Sequence, residues 1–282
     1  MPLIFVPTPL GNLRDVTLRA LDVLRDAELI VAEDTRVARK LLHALDLRGR
    51  ETWSYREQNA AAVTAAILER ASAAVVAVTS DAGMPGISDP GSSLIAAARA
   101  AGVAIEVVPG PSAAMGVAVL SGFPLQRFTF EGFPPRAATA RRERFAGALR
   151  GALTTIWYES PRRLPATLAD LAQLAPDAQI FVVREYTKLH EQHLWGTPQR
   201  VIAALPEPLR GEVAFAIAPY AATPSPPAPD ETNAAIDALL DDGRRVADVA
   251  KLLASRGFGD RHDLYARAAA RKARRESPIN QG

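Results

Sequence analysis

The sequence has no cysteine among its 282 residues, which excludes disulfide bonds and thiolate metal sites. This absence fits a reducing compartment. Histidine is also scarce, with four residues in the chain. His190 and His193 do not have the i, i+4 spacing of a zinc-binding helix, so we expect no metal site.

Long apolar runs are missing as well. No stretch approaches the roughly 20 apolar residues that a membrane-spanning helix needs. The N-terminal residues 1–6 enter an apolar run without the positive charges and the cleavage site of a signal peptide. We therefore expect a cytoplasmic protein with no membrane partner.

Charge is nearly balanced, but the basic residues are unusual in type. The formal net charge is +2, and 29 of the 33 basic residues are arginine. Arginine suits bidentate phosphate contacts, so the bias is compatible with a nucleic-acid partner. Two solvated helix faces would explain the pattern equally well. The arginine-rich clusters are Arg136, Arg141, Arg142, Arg144 and Arg150, and then Arg261, Arg267, Arg271, Lys272, Arg274 and Arg275.

Short apolar runs alternate with helical patterns through the first two thirds of the chain, which predicts an α/β fold with mostly parallel strands. A second α/β region follows the break at Ser121–Pro124. The predicted strands are 3–6, 29–32, 75–79, 105–108, 127–130, 154–158, 180–183 and 213–218. The predicted helices are 17–25, 35–45, 92–101, 112–120, 140–149, 164–174, 231–240, 246–256 and 260–274.

These patterns predict two α/β domains, 1–119 and 120–222, and a small helical domain, 231–282. Between them lies a proline-rich linker, 223–230, whose prolines favour a semi-extended spacer.

The segment 79–91, T-S-D-A-G-M-P-G-I-S-D-P-G, follows a predicted strand and precedes a helix, where α/β folds place ligand sites. Asp81 and Asp89 could accept hydrogen bonds from ribose hydroxyls or an amino group. A rigid connection with aspartates as turn and cap residues is the alternative. Segments 6–15 and 107–114 also join a strand to a helix, without a G-x-G-x-x-G pattern. We expect the three loops to converge at one edge of the sheet.

The motifs P-T-P-L-G-N-L-x-D-x-T, A-E-D-T-R, S-D-A-G-x-P-G-I-S-D-P-G, P-G-P-S-A-A, E-G-F-P-P, Y-E-S-P-x-R-L, R-E-x-T-K and G-E-V occur in this order within residues 3–218. In this respect the chain resembles the 16S ribosomal RNA cytidine-2′-O-methyltransferase family of the tetrapyrrole methylases. The resemblance implies a two-domain class III methyltransferase fold and a homodimer. It also implies binding of S-adenosyl-L-methionine, with S-adenosyl-L-homocysteine as product. The implied substrate is a decoding-region cytidine in the 16S rRNA of the 30S subunit.

The resemblance also implies roles for individual residues. Because a ribose hydroxyl is a poor nucleophile, a base or a cation near it should help the reaction. Glu33 and Arg36 match a substrate-facing motif, although Asp34 or Thr35 could simply cap the next helix. The catalytic candidates are Glu185, Lys188, Glu159, Glu33 and Arg36. The cofactor-binding candidates are Pro7, Asp81, Met84, Ser112, Ala113, Tyr158 and Ala214.

The chain departs from the family pattern at Arg56, Gln58, Met84 and Arg162. These changes concern the RNA target more than the cofactor. Two other functions stay open: methylation of a tetrapyrrole precursor or another small molecule, and a non-catalytic role in ribosome assembly. The basic C-terminal helices argue against a small substrate, and the cofactor loops argue against a mere binder.

Overall fold

The computed structural model describes residues 2–89, 91–220 and 229–276. The chain divides into two compact units, residues 1–220 (unit 1) and residues 221–282 (unit 2). Most of the predicted linker, 223–228, lies outside the described residues. Its last two residues, Pro229 and Asp230, belong to a helix and not to a spacer. Proline is compatible with this position because it is tolerated in the first turn of a helix.

The first sheet of unit 1 consists of five parallel strands in the order β3-β2-β4-β1-β5. The central strands β2 and β4 are continuous apolar runs or nearly so, and every residue in them is buried. Such runs are typical of parallel strands that are covered on both faces. The strands are β1 (Leu3–Phe5), β2 (Leu29–Ala32), β3 (Glu51–Ser54), β4 (Val76–Thr79) and β5 (Ile105–Val107).

Helices cover both faces of this sheet. Leu24 and Leu42 pack with Ile30 on one face, whereas Ile67 and Leu94 belong to the core on the other. The helices that follow the strands are α1 (Leu18–Asp26), α2 (Thr35–Ala44), α3 (Ala60–Ala73), α4 (Gly91–Ala100) and α5 (Ala113–Ser121). A short 3-10 turn, Leu13–Asp15, precedes α1.

The helix α5 packs on the second sheet and not on the first. Its residues Ala114, Val117 and Ala118 join the core with Ile156 and Phe181 of that sheet. The predicted domain division at residues 119/120 assigned this helix to the first domain. Nearly all of α5 is apolar, which is typical of a helix with neighbours on several sides. It ends at Gly122, whose φ of 68° suits a residue without a side chain.

The second sheet has the order β6-β7-β10-β8-β9 and is mixed, since only β6 and β7 are parallel. Its other face carries a core around Trp157 and Phe215, which stack on one another. The strands are β6 (Phe128–Gly132), β7 (Thr154–Glu159), β8 (Ile180–Arg184), β9 (Gln192–Gly196) and β10 (Val213–Ile217). The helices are α6 (Ala138–Arg150), α7 (Leu164–Leu174) and α8 (Pro198–Ala203).

Unit 2 contains three helices, α9 (Pro229–Asp241), α10 (Val246–Ser255) and α11 (Arg261–Glu276). They enclose a core that includes Ile236, Val249, Leu253, Leu264 and Ala268. Two arginines of α11 stabilise this packing, because Arg267 donates to Asn233 and Arg271 pairs with Asp237.

Every helix and strand predicted from the sequence is confirmed to within two residues at each end. The elements that the patterns did not predict are β3, α3, β9, α8 and the short 3-10 turn. In the part of the chain that the structure describes, we find no helix with the length and apolarity to cross a membrane.

Candidate active site

The three loops that follow β1, β4 and β5 lie side by side at the carboxyl edge of the first sheet, as predicted. The backbones of Thr8 and Gly83 exchange two hydrogen bonds of 3.0 Å. The ring of Pro7 packs so closely on Gly110 that a Cβ there would lie 2.4 Å from the proline Cγ. Pro7 therefore supports the loops from behind.

A cavity of about 400 Å³ lies at this edge and is called here the main cavity. Loop residues at the edge of the first sheet and strand residues of the second sheet line it. Six of the seven predicted cofactor residues are among them: Asp81, Met84, Ser112, Ala113, Tyr158 and Ala214. The seventh, Pro7, does not line the cavity, which corrects its assignment to the cofactor site. Of the predicted catalytic residues, Glu33 and Glu159 line the cavity, whereas Arg36, Glu185 and Lys188 do not.

Hydrogen bonds hold the 80–89 loop in a bent shape along one wall. Gly83 has a φ of +79°, and an added Cβ would lie 2.9 Å from Cδ2 of Leu10. The hydroxyl of Ser80 donates to the Gly83 carbonyl at 2.8 Å. Asp89 accepts the amides of Gly86 and Gly91 on Oδ1, both at 2.8 Å. Its other oxygen, Oδ2, is buried and has no hydrogen-bond partner among the described residues.

Carboxylates gather where β2 and β4 end. Glu33 follows β2 and Asp81 follows β4, and the amide of Asp34 donates to Asp81 at 3.1 Å. Burial raises the pKa of Glu33, and the nearby charges of Asp81 and Asp89 raise this pKa further. Burial also raises the pKa of Asp81. A carboxylate with a raised pKa accepts a proton more readily than an ordinary one.

The next residues of this motif cap a helix. Asp34 accepts the amide of Arg36 at 2.9 Å and thereby caps α2, and the same carboxylate binds the Arg36 side chain. These hydrogen bonds hold the pKa of Asp34 far below its usual range. The sequence left capping and a substrate role open for this motif, and the structure assigns the cap to Asp34. Arg36 is 84% exposed and its guanidinium lies outside the main cavity.

A second, more polar opening adjoins the main cavity and is called here the polar cleft. It shares Glu33, Asp81 and Asp89 with the main cavity. Its far side includes Arg56 and Gln58, two of the positions that depart from the family pattern. The Arg56 side chain donates to the carbonyl of Glu33 at 2.8 Å, so its charge lies close to the carboxylates.

Aromatic side chains form the wall on the second sheet. The hydroxyl of Tyr158 accepts the amide of Ala114 in the first turn of α5, and burial raises the pKa of this hydroxyl. Tyr186 lies against Gly116 of α5, where a Cβ would come within 2.3 Å of the ring. Sequence analysis did not assign Tyr186 or Phe133, the other aromatic of this wall. Their position inside the motifs R-E-x-T-K and E-G-F-P-P was the available signal.

Glu159 has the contacts of an anchor. Its side chain is fully buried, and its two oxygens accept the amide of Ser160 at 2.7 Å and the hydroxyl of Thr167 at 2.6 Å. The guanidinium of Arg163 lies 3.3 Å away. Because both oxygens are engaged, the carboxylate holds the start of α7 and is poorly placed to accept a substrate proton. These contacts assign Glu159 an anchoring role, and its catalytic role stays a prediction.

Glu185 and Lys188 also differ from the expectation of a base and a cation at the substrate. Lys188 donates to Glu185 at 2.9 Å and to Glu212 at 3.1 Å. Burial favours a higher pKa for Glu185, but the hydrogen bonds from Lys188 and from the Glu212 amide outweigh it and lower this pKa. The Lys188 stem lies against Gly11, so the pair holds its turn on the first loop, outside the main cavity.

The turn that carries this pair has an uncommon backbone. Glu185 and Thr187 have φ values of 53° and 66°, in the left-handed region that few non-glycine residues adopt. The hydroxyl of Thr187 accepts the amide of Asn12 at 3.2 Å. These contacts keep Tyr186 at the cavity wall. Among the described residues, this turn included, no group of three or more acidic or histidine side chains could hold a metal ion.

Comparison with protein families finds a match to the tetrapyrrole (corrin/porphyrin) methylases over residues 2–201. Three similar relatives are each called ribosomal RNA small subunit methyltransferase I. The Thermotoga maritima protein is 40% identical over 71% of this chain and 90% of its own length. The Neisseria meningitidis serogroup B protein is 41% identical over 76% of this chain and 75% of its own length. The Xylella fastidiosa protein is 44% identical over 68% of this chain and 71% of its own length.

Two solved structures share the fold. Diphthine synthase aligns with a TM-score of 0.62 and 15% identity, over 77% of this chain and 90% of that one. Uroporphyrin III C-methyl transferase from Thermus thermophilus aligns with a TM-score of 0.55 and 19% identity, over 77% of this chain and 97% of that one.

Proposed function

The chain belongs to the tetrapyrrole methylase family and, within it, to the ribosomal RNA small subunit methyltransferase I family, and we propose that it methylates ribosomal RNA with S-adenosyl-L-methionine. The finer proposal is that the acceptor is the ribose 2′-hydroxyl of a decoding-region cytidine in 16S rRNA. The observation that supports methyl transfer is that the main cavity and the polar cleft share a wall. Glu33 and Asp81 border both the main cavity and the polar cleft, so a donor and an acceptor can meet there.

The residues of the main cavity suit the proposed cofactor, which supplies an electrophilic methyl group on a sulfonium. Ser112, Ala113 and Ala214 are small and leave room for a flat adenine. Asp81 and the unpartnered oxygen of Asp89 can accept hydrogen bonds from ribose hydroxyls or an ammonium group. Met84 and Tyr158 complete the apolar surface. A volume of about 400 Å³ lies in the range of small-molecule sites.

Glu33 is the proton acceptor in this proposal. Its raised pKa improves the match to a hydroxyl proton, and it faces the cleft in which a ribose would lie. Arg56, which contacts the carbonyl of Glu33, offsets part of the acidic charge. Holding the hydroxyl in line with the methyl group supplies much of the remaining rate enhancement.

Unit 2 is the proposed RNA platform. Arg267 and Arg271 have partners within the unit, so we assign RNA contacts to the exposed Arg261 and Arg274. The substrate is the 16S rRNA of the 30S subunit, and the reaction is therefore cytoplasmic. We also propose a homodimer, because Val119 of α5 leaves 71% of its surface exposed beside Met115 and Leu120.

The experiment that tests this function has two stages. Calorimetry with S-adenosyl-L-methionine should give a single binding event, which S-adenosyl-L-homocysteine competes for. Purified 30S subunits from cells without this protein should then accept a labelled methyl group on one cytidine ribose. Absence of cofactor binding would contradict any methyltransferase role. Cofactor binding without labelling of 30S subunits or free 16S rRNA would favour a small-molecule substrate.

A further inference from the structure

A third opening of unit 1 adjoins the main cavity beside the strand β6 and is called here the Phe133 groove. Phe133, Arg136 and Arg162 line it together with Pro134 and Pro135. It shares Phe133, Glu159 and Ser160 with the main cavity. A chain lying in this groove would therefore lead into the site that holds the reacting groups.

Two arginines fix the backbone of this groove. Arg163 donates to the carbonyls of Pro134 at 2.6 Å and Pro135 at 3.1 Å. Arg141 donates to the carbonyl of Arg136 at 3.0 Å and is itself held in a buried ion pair with Asp170. The two prolines lack an N–H and have restricted backbones. The segment is thus rigid before any ligand arrives.

This rigid segment presents an aromatic ring to solvent. Phe133 is 52% exposed, and its ring contacts Tyr158 edge-on at a centroid distance of 5.6 Å. The contact with Tyr158 fixes one edge of the ring and leaves a face available. An exposed, oriented ring of this kind is a typical stacking platform for a nucleic-acid base.

The two groove arginines differ from their neighbours in the sequence. Arg142 pairs with Asp170 and Arg144 pairs with Glu131. Arg136 and Arg162 are exposed, and within the described part of the chain neither guanidinium has a hydrogen bond or an ion pair. Their charges are therefore available to an anion.

We propose that the Phe133 groove binds single-stranded RNA next to the acceptor nucleotide, with a base stacked on Phe133 and backbone phosphates bound by Arg136 and Arg162. The inference rests on the proposed function and adds a substrate site to it. An aromatic platform beside unpaired guanidiniums is the combination that single-stranded nucleic acid requires, since it needs both stacking and phosphate neutralisation.

The test measures RNA binding by the full chain with saturating cofactor. The probe is a fluorescent oligocytidylate of about 12 nucleotides, within the usual length for such grooves. The double variant Arg136→Gln/Arg162→Gln should bind about tenfold more weakly. Its plot of log affinity against log salt should be shallower by about 1.4, because two phosphate contacts are lost. Arg99→Gln, an exposed arginine of α4 outside the groove, is the matched control and should behave as wild type.

Phe133→Leu tests the stacking separately. It should weaken RNA binding at least about fivefold and leave the salt slope unchanged, since no charge is removed. Melting curves of all variants should match wild type, because the substituted side chains are exposed. A double variant that binds RNA with the affinity and salt slope of Arg99→Gln would overturn the proposal that the groove binds RNA. The proposed function would still stand. A wild-type protein that binds the cofactor but neither this oligonucleotide nor 30S subunits would contradict both the groove and the proposed function.

Discussion

The hydroxyl of Tyr158 accepts a hydrogen bond from the backbone amide of Ala114 at 3.1 Å, and this contact ties the strand β7 to the first turn of α5. Amides in a first helical turn have no partner within the helix. Tyr158 satisfies one of them and at the same time lines the main cavity. The wall of the cavity and the start of α5 are thus set by the same side chain.

Tyr158→Phe should weaken S-adenosyl-L-methionine binding about tenfold. The variant keeps the ring but leaves the buried Ala114 amide without an acceptor, which costs about 1–3 kcal/mol. Calorimetry measures the affinity. Tyr265→Phe in unit 2, where the tyrosine is 48% exposed, serves as the control. Equal affinities for the two variants would show that the hydroxyl does not shape the cavity.

Gly116→Ala should also weaken cofactor binding at least about tenfold, because its Cβ would overlap the Tyr186 ring at 2.3 Å and push it from the cavity wall. Gly147→Ala in α6 is the matched control. Its Cβ meets nothing closer than 3.7 Å, so it should raise stability by about 0.5–1 kcal/mol. Cofactor titration and chemical denaturation of both variants separate the two effects. Normal binding by Gly116→Ala would exclude a role for Tyr186.

Glu33→Gln should lower kcat about a hundredfold or more, the range for loss of a general base, and leave cofactor affinity close to wild type. In the wild type, kcat/KM should rise with pH through the raised pKa of Glu33, because the base acts in its ionised form. This rise of kcat/KM with pH should be absent from the variant. Glu69→Gln, on the exposed side of α3, is the control. A variant that retains full kcat would show that another group is the general base.

The same substitution should raise the melting temperature at pH 7. The folded-state pKa of Glu33 is raised, so its stabilising contribution is complete below the ordinary glutamate pKa of about 4.3 and is lost as pH rises through the folded value. Glutamine stays neutral at all pH values. The difference in melting temperature between the variant and the wild type should therefore disappear as the pH falls. Thermal melts at a series of pH values would detect this.

The arginines of α11 should divide into two groups. Arg271→Ala should lower the melting temperature of unit 2, because it removes the ion pair between α11 and Asp237 of α9. Arg274→Ala should leave melting unchanged but reduce the salt slope of 30S binding by about 1. Filter binding at several salt concentrations, with melting curves, distinguishes them. Identical behaviour of the two variants would contradict the assignment of RNA contacts in unit 2.

Val119→Lys should convert the proposed homodimer to a monomer, weakening association at least about tenfold, because a charge enters an apolar contact. Leu18→Lys is the control, since Leu18 is even more exposed, at 81%, but lies on α1. Sedimentation velocity reports the oligomeric state. A wild-type chain that sediments as a monomer would remove the dimer from the proposal.

Sequence patterns predicted the buried strands best, and the reasons are physical. The runs of β2 and β4 are apolar because both faces are covered. The edge strand β3 has no buried residue, and β9 is partly exposed, so neither forms such a run. The helix α3 is rich in alanine and has little contrast between its faces, which removes the helical period from the pattern.

For the site, the motifs indicated most of the cavity lining but not the state of each charged group. Glu159, Glu185 and Lys188 all lie in the expected motifs. Their partners, Thr167 and Glu212, come from other segments. Whether a carboxylate faces a ligand or holds a loop depends on such long-range contacts, and residue spacing does not contain them.

Unit 1 is fastened beside the main cavity where Thr187 and Lys188 contact Asn12 and Gly11. Swinging the two sheets apart would break these contacts. We therefore expect ligand exchange to proceed by displacement of side chains at the rim, with the mouth of the cavity equally wide before and after turnover.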